Sequence, residues 1–230
     1  EPRLRRYKMD AALAFSRANR LNRVVVESRK PRFGIVTSGI AGLVVLEALD
    51  SLGIDRKTAA DLGITVLKMG MPHPFDNDTV RNFATGLEEV LVVEEKRRIL
   101  EMGVKDACYG LSEIQRPRVV GRYDEFGDRL ISELGELNTD EVARIIAARI
   151  SAFHNTDKIT SQLRLIDLKK EEQKVREGLT IARAPFFCSG CPHNTSTRVP
   201  EGSRAHGGVG CHFMATHMER GNITHPHMGG

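Results

Sequence analysis

Three cysteines and a group of glycines toward the C-terminal end have the types and spacing that chemistry needs. Phe187-Cys188-Ser189-Gly190-Cys191-Pro192-His193 separates two thiols by two residues, and Cys211 follows within Gly207-Gly208-Val209-Gly210-Cys211-His212. Two thiols at this spacing can grip one metal centre if a turn points both inward, and Gly190 and Pro192 are turn residues. Zinc sites and iron–sulfur clusters both ordinarily take four protein ligands, so three cysteines leave alternatives open. His193 or His212 would complete a zinc site. A cysteine beyond residue 230 would complete a [4Fe–4S] cluster. A thioredoxin-type thiol pair is disfavoured, because the motif follows a long connector and holds Ser-Gly between its cysteines. Gly207, Gly208 and Gly210 allow the backbone to approach an anion such as a diphosphate beside the metal.

Other residues invite weaker readings. Thr37-Ser38-Gly39 ends an apolar run and opens a helical pattern, which is where a parallel sheet places ligands, but the spaced glycines of a dinucleotide fingerprint are missing. Met71-Pro72-His73-Pro74 is a stiff loop that suits a structural or interface role. Glu94-Glu95-Lys96-Arg97-Arg98 reads as a solvated, self-compensating charge run. Cys108, isolated in a helical pattern, reads as a small buried hydrophobe. Asn194-Thr195-Ser196 and Asn222-Ile223-Thr224 match glycosylation sequons and carry no meaning in a cytoplasmic protein.

The elements that must position these residues alternate. Helical patterns are expected over 9–20, 40–52, from the capping residues 76–79 through Leu87, over 97–111 with an interruption at Gly103, and from Asn138 to Ile150. Short apolar, β-branched runs at 33–39, 64–69, 89–93 and 118–120 read as strands, with a further apolar run at Val24–Val26. Strands alternating with helices of about ten residues predict βαβ crossovers. The fold class expected is therefore α/β, a mostly parallel sheet with flanking helices. The boundaries expected are an N-terminal helical segment at 1–30, an α/β domain at 31–152, a charged and solvated connector helix at 153–184, and a distinct segment at 185–230.

Composition narrows the classes. The 230 residues carry 34 Lys+Arg against 30 Asp+Glu, a net charge of +4 spread among acids rather than massed, which argues against nucleic-acid binding. Four cysteines are too few for a disulfide scaffold. No apolar run approaches the roughly 20 residues of a membrane helix. The opening Glu-Pro-Arg-Leu-Arg-Arg is no signal peptide, so a reducing cytoplasm is expected. Both ends read as cut, and a fragment of a longer protein is expected.

At its cysteine segment the sequence resembles the 2-oxoacid:ferredoxin oxidoreductases, most closely the large indolepyruvate ferredoxin oxidoreductases. The stretches 185–197, 199–204, 208–212 and 228–230 are similar to the opening of their thiamine-diphosphate-binding domain. Phe33–Gly39, Leu46–Asp50, Gly70–Pro72 and Val93–Lys96 look like their transketolase-C-terminal-like domain. The resemblance implies that Cys188, Cys191 and Cys211 are ligands of a [4Fe–4S] cluster, with His193, Gly210, Cys211 and His212 beside thiamine diphosphate. It places the magnesium-binding segment, the fourth cysteine and the activating glutamate outside this chain, so no catalytic residue is assigned within it. The activity implied is oxidative decarboxylation of indolepyruvate or another aryl pyruvate with coenzyme A, with electrons passed to ferredoxin. Pyruvate or branched-chain 2-oxoacids are alternative substrates, and a non-enzymatic zinc-binding module is the alternative function. Partners implied are ferredoxin, coenzyme A and the remaining domains or subunits of a homo-oligomeric enzyme.

Overall fold

A computed structural model describes residues 1–154, 156–177 and 184–227, without side-chain detail for 173–177 and 224–227. It divides into two compact units, Glu1–Glu171 and Glu172–Gly230. The expected motif at Met228–Gly230 lies outside the described residues.

The first unit is an α/β domain, as the alternating pattern predicts. A π-helical turn at Leu4–Lys8 runs into α1 (Met9–Ala18). The strands β1 (Arg23–Val26), β2 (Phe33–Ser38), β3 (Ile64–Met69), β4 (Glu89–Val93) and β5 (Arg118–Val120) form one sheet in the order β1-β3-β2-β4-β5. All neighbours are parallel except β1, which pairs antiparallel with β3 at the edge. The helices are α2 (Ala41–Ser51), α3 (Arg56–Leu62), α4 (Asn77–Ala84), α5 (Ile99–Tyr109) and α6 (Thr139–Ile150).

Both faces of the sheet are covered, which is why its central strands read as unbroken apolar runs. Phe33 and Ile35 of β2, with Ile64, Val66, Leu91 and Val93, face α2 and α6. Val36, Leu67, Met69, Val90 and Val92 face α4 and α5. The chain therefore leaves β2 toward one face and leaves β4 toward the other. Because these two strands are neighbours, a topological switch point lies between their carboxyl ends.

Side-chain caps set several boundaries. Asp76 accepts from the Thr79 amide at 3.3 Å to start α4, and Asn138 accepts from the Asp140 and Glu141 amides at 2.8 and 3.2 Å to start α6. Asp55 does the same for α3, a helix the apolar pattern does not reveal, and Gly63 ends it at φ +78°.

Three features differ from the expectations. α5 runs through Gly103 without interruption, because the bare Cα lets the Phe75 ring pack against the helix: a Cβ there would stand 2.5 Å from Phe75 Cε2. Residues on both sides of 31–152 join its core. Val26 of β1, and Ile159 and Ile166 of the connector helix α7 (Asp157–Glu177), are buried in the α2–α6 cluster. Glu94 is not simply solvated. Its carboxylate accepts from the amides of Leu100 and Glu101 at 2.8 and 3.0 Å and so caps α5, and burial, the largest cause, pushes its pKa above the usual carboxylate value.

The second unit contains the short helix α8 (His193–Ser196), strands β6 (Ala205–Gly208) and β7 (Asn222–His227) in a parallel pair, and a 3-10 segment at Gly210–His217 between them.

Candidate functional site

The cysteine motif folds as the sequence suggests at its turn. The Cys191 amide donates to the Cys188 carbonyl at 3.1 Å, and Gly190 adopts φ +74° within the loop. Asn194 Nδ2 donates to the same carbonyl at 3.1 Å, which ties the turn to the helix that follows. Cys188 and Cys211 are exposed, Cys191 is half-buried, and all three are free thiols. Among the described residues the three do not form a group placed to hold a metal ion. Cys191 Sγ lies 3.2 Å from His193 Nδ1.

The histidines make the more numerous contacts in the site. His193 stacks on the buried Phe187 ring, with centroids 5.3 Å apart, and its ring centre lies 6.3 Å from that of His212. His212 uses both ring nitrogens. Nδ1 accepts from the Gly208 amide at 3.0 Å, so Nε2 carries the proton, 3.3 Å from Asn222 Oδ1. The ring thus braces the glycine segment that precedes Cys211.

Residues that spacing does not single out hold this arrangement together. The Arg220 guanidinium sits 5.4 Å from the Phe187 ring centre, and its Nη1 donates to the Asn194 carbonyl at 2.9 Å. Asn222 Nδ2 donates to the Thr197 carbonyl at 3.0 Å. Phe187, Arg220 and Asn222 therefore join the two ends of the unit around His193 and His212. No local motif could have found them, because each acts across more than ten residues or through its ring. Asn222 is recognisable in sequence only as part of a sequon.

The glycines divide into two kinds. A Cβ on Gly207 would collide with Thr216 Cγ2, and one on Gly208 would stand 2.8 Å from His212 Nδ1, so both are needed for internal packing. Gly210 has φ +78° and nothing within 4 Å of where a Cβ would be. The space beside its Cα is empty, which fits the approach of a diphosphate. Metal ligands fit less well. Among the described residues no group of three or more His, Cys, Asp or Glu side chains is placed to hold a metal ion. The donor chemistry of the three free thiols suits an iron–sulfur cluster, but their arrangement does not assemble one, and no cluster of acidic side chains for Mg²⁺ is present among the described residues.

Cys108 is separate from this site. It is buried against α4 in the second core cluster, and burial pushes its thiol pKa up to about 11. It is a packing residue, as its isolation suggests.

Comparison with known proteins defines the class. The family model described as indolepyruvate oxidoreductase domain matches residues 23–173. The chain belongs to the indolepyruvate oxidoreductase family. It is 31% identical over 186 residues to the indolepyruvate oxidoreductase subunit IorA of Methanothermobacter marburgensis, covering 81% of this chain and 25% of that protein. The IorA subunit of Thermococcus kodakarensis is 27% identical over 167 residues, covering 72% of this chain and 22% of its own. The chain thus spans about a quarter of the length of these curated relatives. Among solved structures, a split-gene transketolase described as an inactive β4 tetramer matches 56% of this chain and 41% of its own, with 25% identity and a TM-score of 0.39. No helix among the described residues is long and apolar enough to cross a membrane.

Proposed function

We propose that this chain is part of a thiamine diphosphate-dependent oxidoreductase that oxidatively decarboxylates 2-oxoacids, indolepyruvate or other aryl pyruvates, with coenzyme A and ferredoxin. The observation that carries this reading is membership of the indolepyruvate oxidoreductase family across residues 23–173. The overall change converts a 2-oxoacid, coenzyme A and two oxidised ferredoxins into an acyl-coenzyme A, carbon dioxide, a proton and two reduced ferredoxins. The relatives are named as subunits, and further domains or subunits, in a homo-oligomeric and cytoplasmic assembly with Mg²⁺, belong to the same proposal.

Thiamine diphosphate, when bound, supplies the nucleophilic carbon and the electron sink for decarboxylation. The chain's own share is binding and orientation. Gly210, with nothing within 4 Å of where a Cβ would stand, leaves room on its Cα for a diphosphate to come close. His193, fixed by the Phe187 ring, and His212, fixed by Gly208 and Asn222, would stand beside the cofactor with little rotamer freedom left to lose. Cys188, Cys191 and Cys211 are proposed as cluster ligands in the whole enzyme. Their arrangement here does not assemble a cluster, so no step is derived through one. The test is reduction of a viologen dye by the whole protein with indolepyruvate. The reading expects reduction that requires both thiamine diphosphate and coenzyme A. No reduction with any 2-oxoacid tried, by protein that binds thiamine diphosphate, would refute it.

A further inference from the structure

The first helix of the first unit is held firmly, yet it covers almost nothing. Its C-terminal end is clamped to the loop that leaves β3. Arg17 Nε donates to both oxygens of the buried Asp76 carboxylate, at 3.1 and 3.0 Å. The Leu21 amide donates to the Ser16 carbonyl at 3.0 Å, the Gly70 amide to the Leu21 carbonyl at 3.2 Å, and the Met71 amide to Asn22 Oδ1 at 3.0 Å. Such a clamp does not belong to a fraying terminus. From Leu4 to Ala18, however, only Ser16 is buried.

The outer side of the helix is not an ordinary solvated face. Met9, Ala12 and Leu13 are half-buried on the Ser16 side. Leu4, Tyr7, Ala11 and Phe15 recur at intervals of three and four residues, which is the spacing of a separate stripe. Leu4, Tyr7 and Phe15 are 48%, 67% and 60% exposed. The turn that carries Leu4 and Tyr7 is π-helical with no buried residue, a rare geometry that concentrates at functional positions. The stripe also stands in an excess of positive charge that survives counting. Arg5 pairs with Glu1, and Arg17 pairs with Asp76 and Asp78. Arg3, Arg6, Lys8 and Arg20 then face Asp10 alone, with no ion pair for any of the five among the described residues.

We propose that the π-helical turn and α1 form a docking arm for the remainder of the enzyme subunit, which receives it in an apolar groove with an acidic rim. Apolar anchors repeating along one stripe, flanked by charge, are the signature of a helix laid in a groove. The inference rests on the reading of the chain as part of a larger enzyme. It spans about a quarter of the length of its IorA relatives, so most of the surface available to cover the arm belongs to the rest of the subunit. A second copy packed helix on helix would instead set the same basic residues against one another.

Hydroxyl-radical footprinting of the whole subunit, resolved by peptide mass spectrometry, reads Tyr7 and Phe15 without any substitution. Both should be oxidised at least tenfold more slowly than in the urea-unfolded subunit, whatever the subunit concentration. Arg3→Glu combined with Arg6→Glu should raise both rates at least fivefold. Lys57→Glu, the same charge change on α3, should leave them unchanged. Wild-type rates within threefold of the unfolded subunit would overturn the proposal, as would equal protection in the Arg3→Glu, Arg6→Glu protein. Protection lost on dilution would overturn it in favour of a separate chain, and protection gained only with phosphatidylserine vesicles in favour of a membrane surface. Viologen dye reduction by the same sample keeps this inference apart from the proposed activity. An active subunit with Tyr7 and Phe15 open overturns the docking alone, and an inactive subunit with both protected overturns the activity alone.

Discussion

Replacing Gly103 by Ala sets two effects of known size against each other. In an ordinary helix interior the change stabilises by about 1 kcal/mol, because glycine loses more backbone entropy on folding. Here the new Cβ would stand 2.5, 2.7 and 2.7 Å from Cε2, Cδ2 and Cζ of Phe75. Three ring atoms inside normal contact distance put the substitution among overpacking changes, which cost about 1–3 kcal/mol. The half-buried ring packs against the α4–α5 core cluster, so relief requires the ring or the helix to shift. The clash should win, leaving Gly103→Ala destabilised by roughly 1–2 kcal/mol. Gly110, the C-cap of the same helix, is the internal control. Its φ of −77° suits alanine and nothing lies within 4 Å of a Cβ there, so Gly110→Ala should stabilise by about 0.4–1 kcal/mol. Urea unfolding followed by circular dichroism should move the two midpoints in opposite directions at constant slope. Phe75→Leu should remove much of the penalty in the double variant, which the coupling energy would reveal. A Gly103→Ala protein as stable as Gly110→Ala would refute the reasoning.

Three further outcomes follow from buried groups. Thr37 is fully buried in β2 and its hydroxyl has no partner among the described residues, so Thr37→Val should raise the unfolding free energy by roughly 1 kcal/mol; a loss measured by denaturant titration would point to a missed partner. The Asp76 carboxyl, 1% exposed, has its pKa lowered chiefly by the hydrogen bond from Arg17, with Thr79 assisting. That stabilisation is present above the unfolded carboxyl pKa of about 3.9 and is lost as pH falls through the lower folded value. Arg17→Met should therefore cost roughly 1–3 kcal/mol near neutral pH and progressively less below about pH 4, and a deficit independent of pH would contradict the assignment. A thiol reagent at pH 8 should label Cys188, Cys191 and Cys211 in the folded protein and reach Cys108 only on unfolding, because burial holds that thiol in its protonated form. Equal labelling rates for all four would contradict this.

Much of the first unit is legible because its signals are local. Apolar strand runs, Asp76 and Asn138 as caps, and alternation with helices all act within a few residues. What escapes is long-range. The Gly103 interruption is plausible from propensity alone, and only the approach of Phe75 explains why the helix continues. The connector reads as charged and solvated, yet Ile159 and Ile166 have a sheet-covering core to enter. Glu94 sits in a charge run, but a cap six and seven residues away decides its role. At the candidate site, spacing brings out the Cys188–Cys191 turn. It carries no information on His193 as the neighbour of Cys191, or on Arg220 and Asn222 as the braces, because those contacts depend on how β7 returns to β6.

The most direct test of the proposed activity is product stoichiometry in the whole enzyme. Indolepyruvate, coenzyme A, thiamine diphosphate and oxidised ferredoxin should yield an acyl-coenzyme A identifiable by mass spectrometry, with two ferredoxins reduced for each molecule formed. The corresponding aldehyde in place of the acyl-coenzyme A, or acyl-coenzyme A formed with ferredoxin left oxidised, would contradict the account.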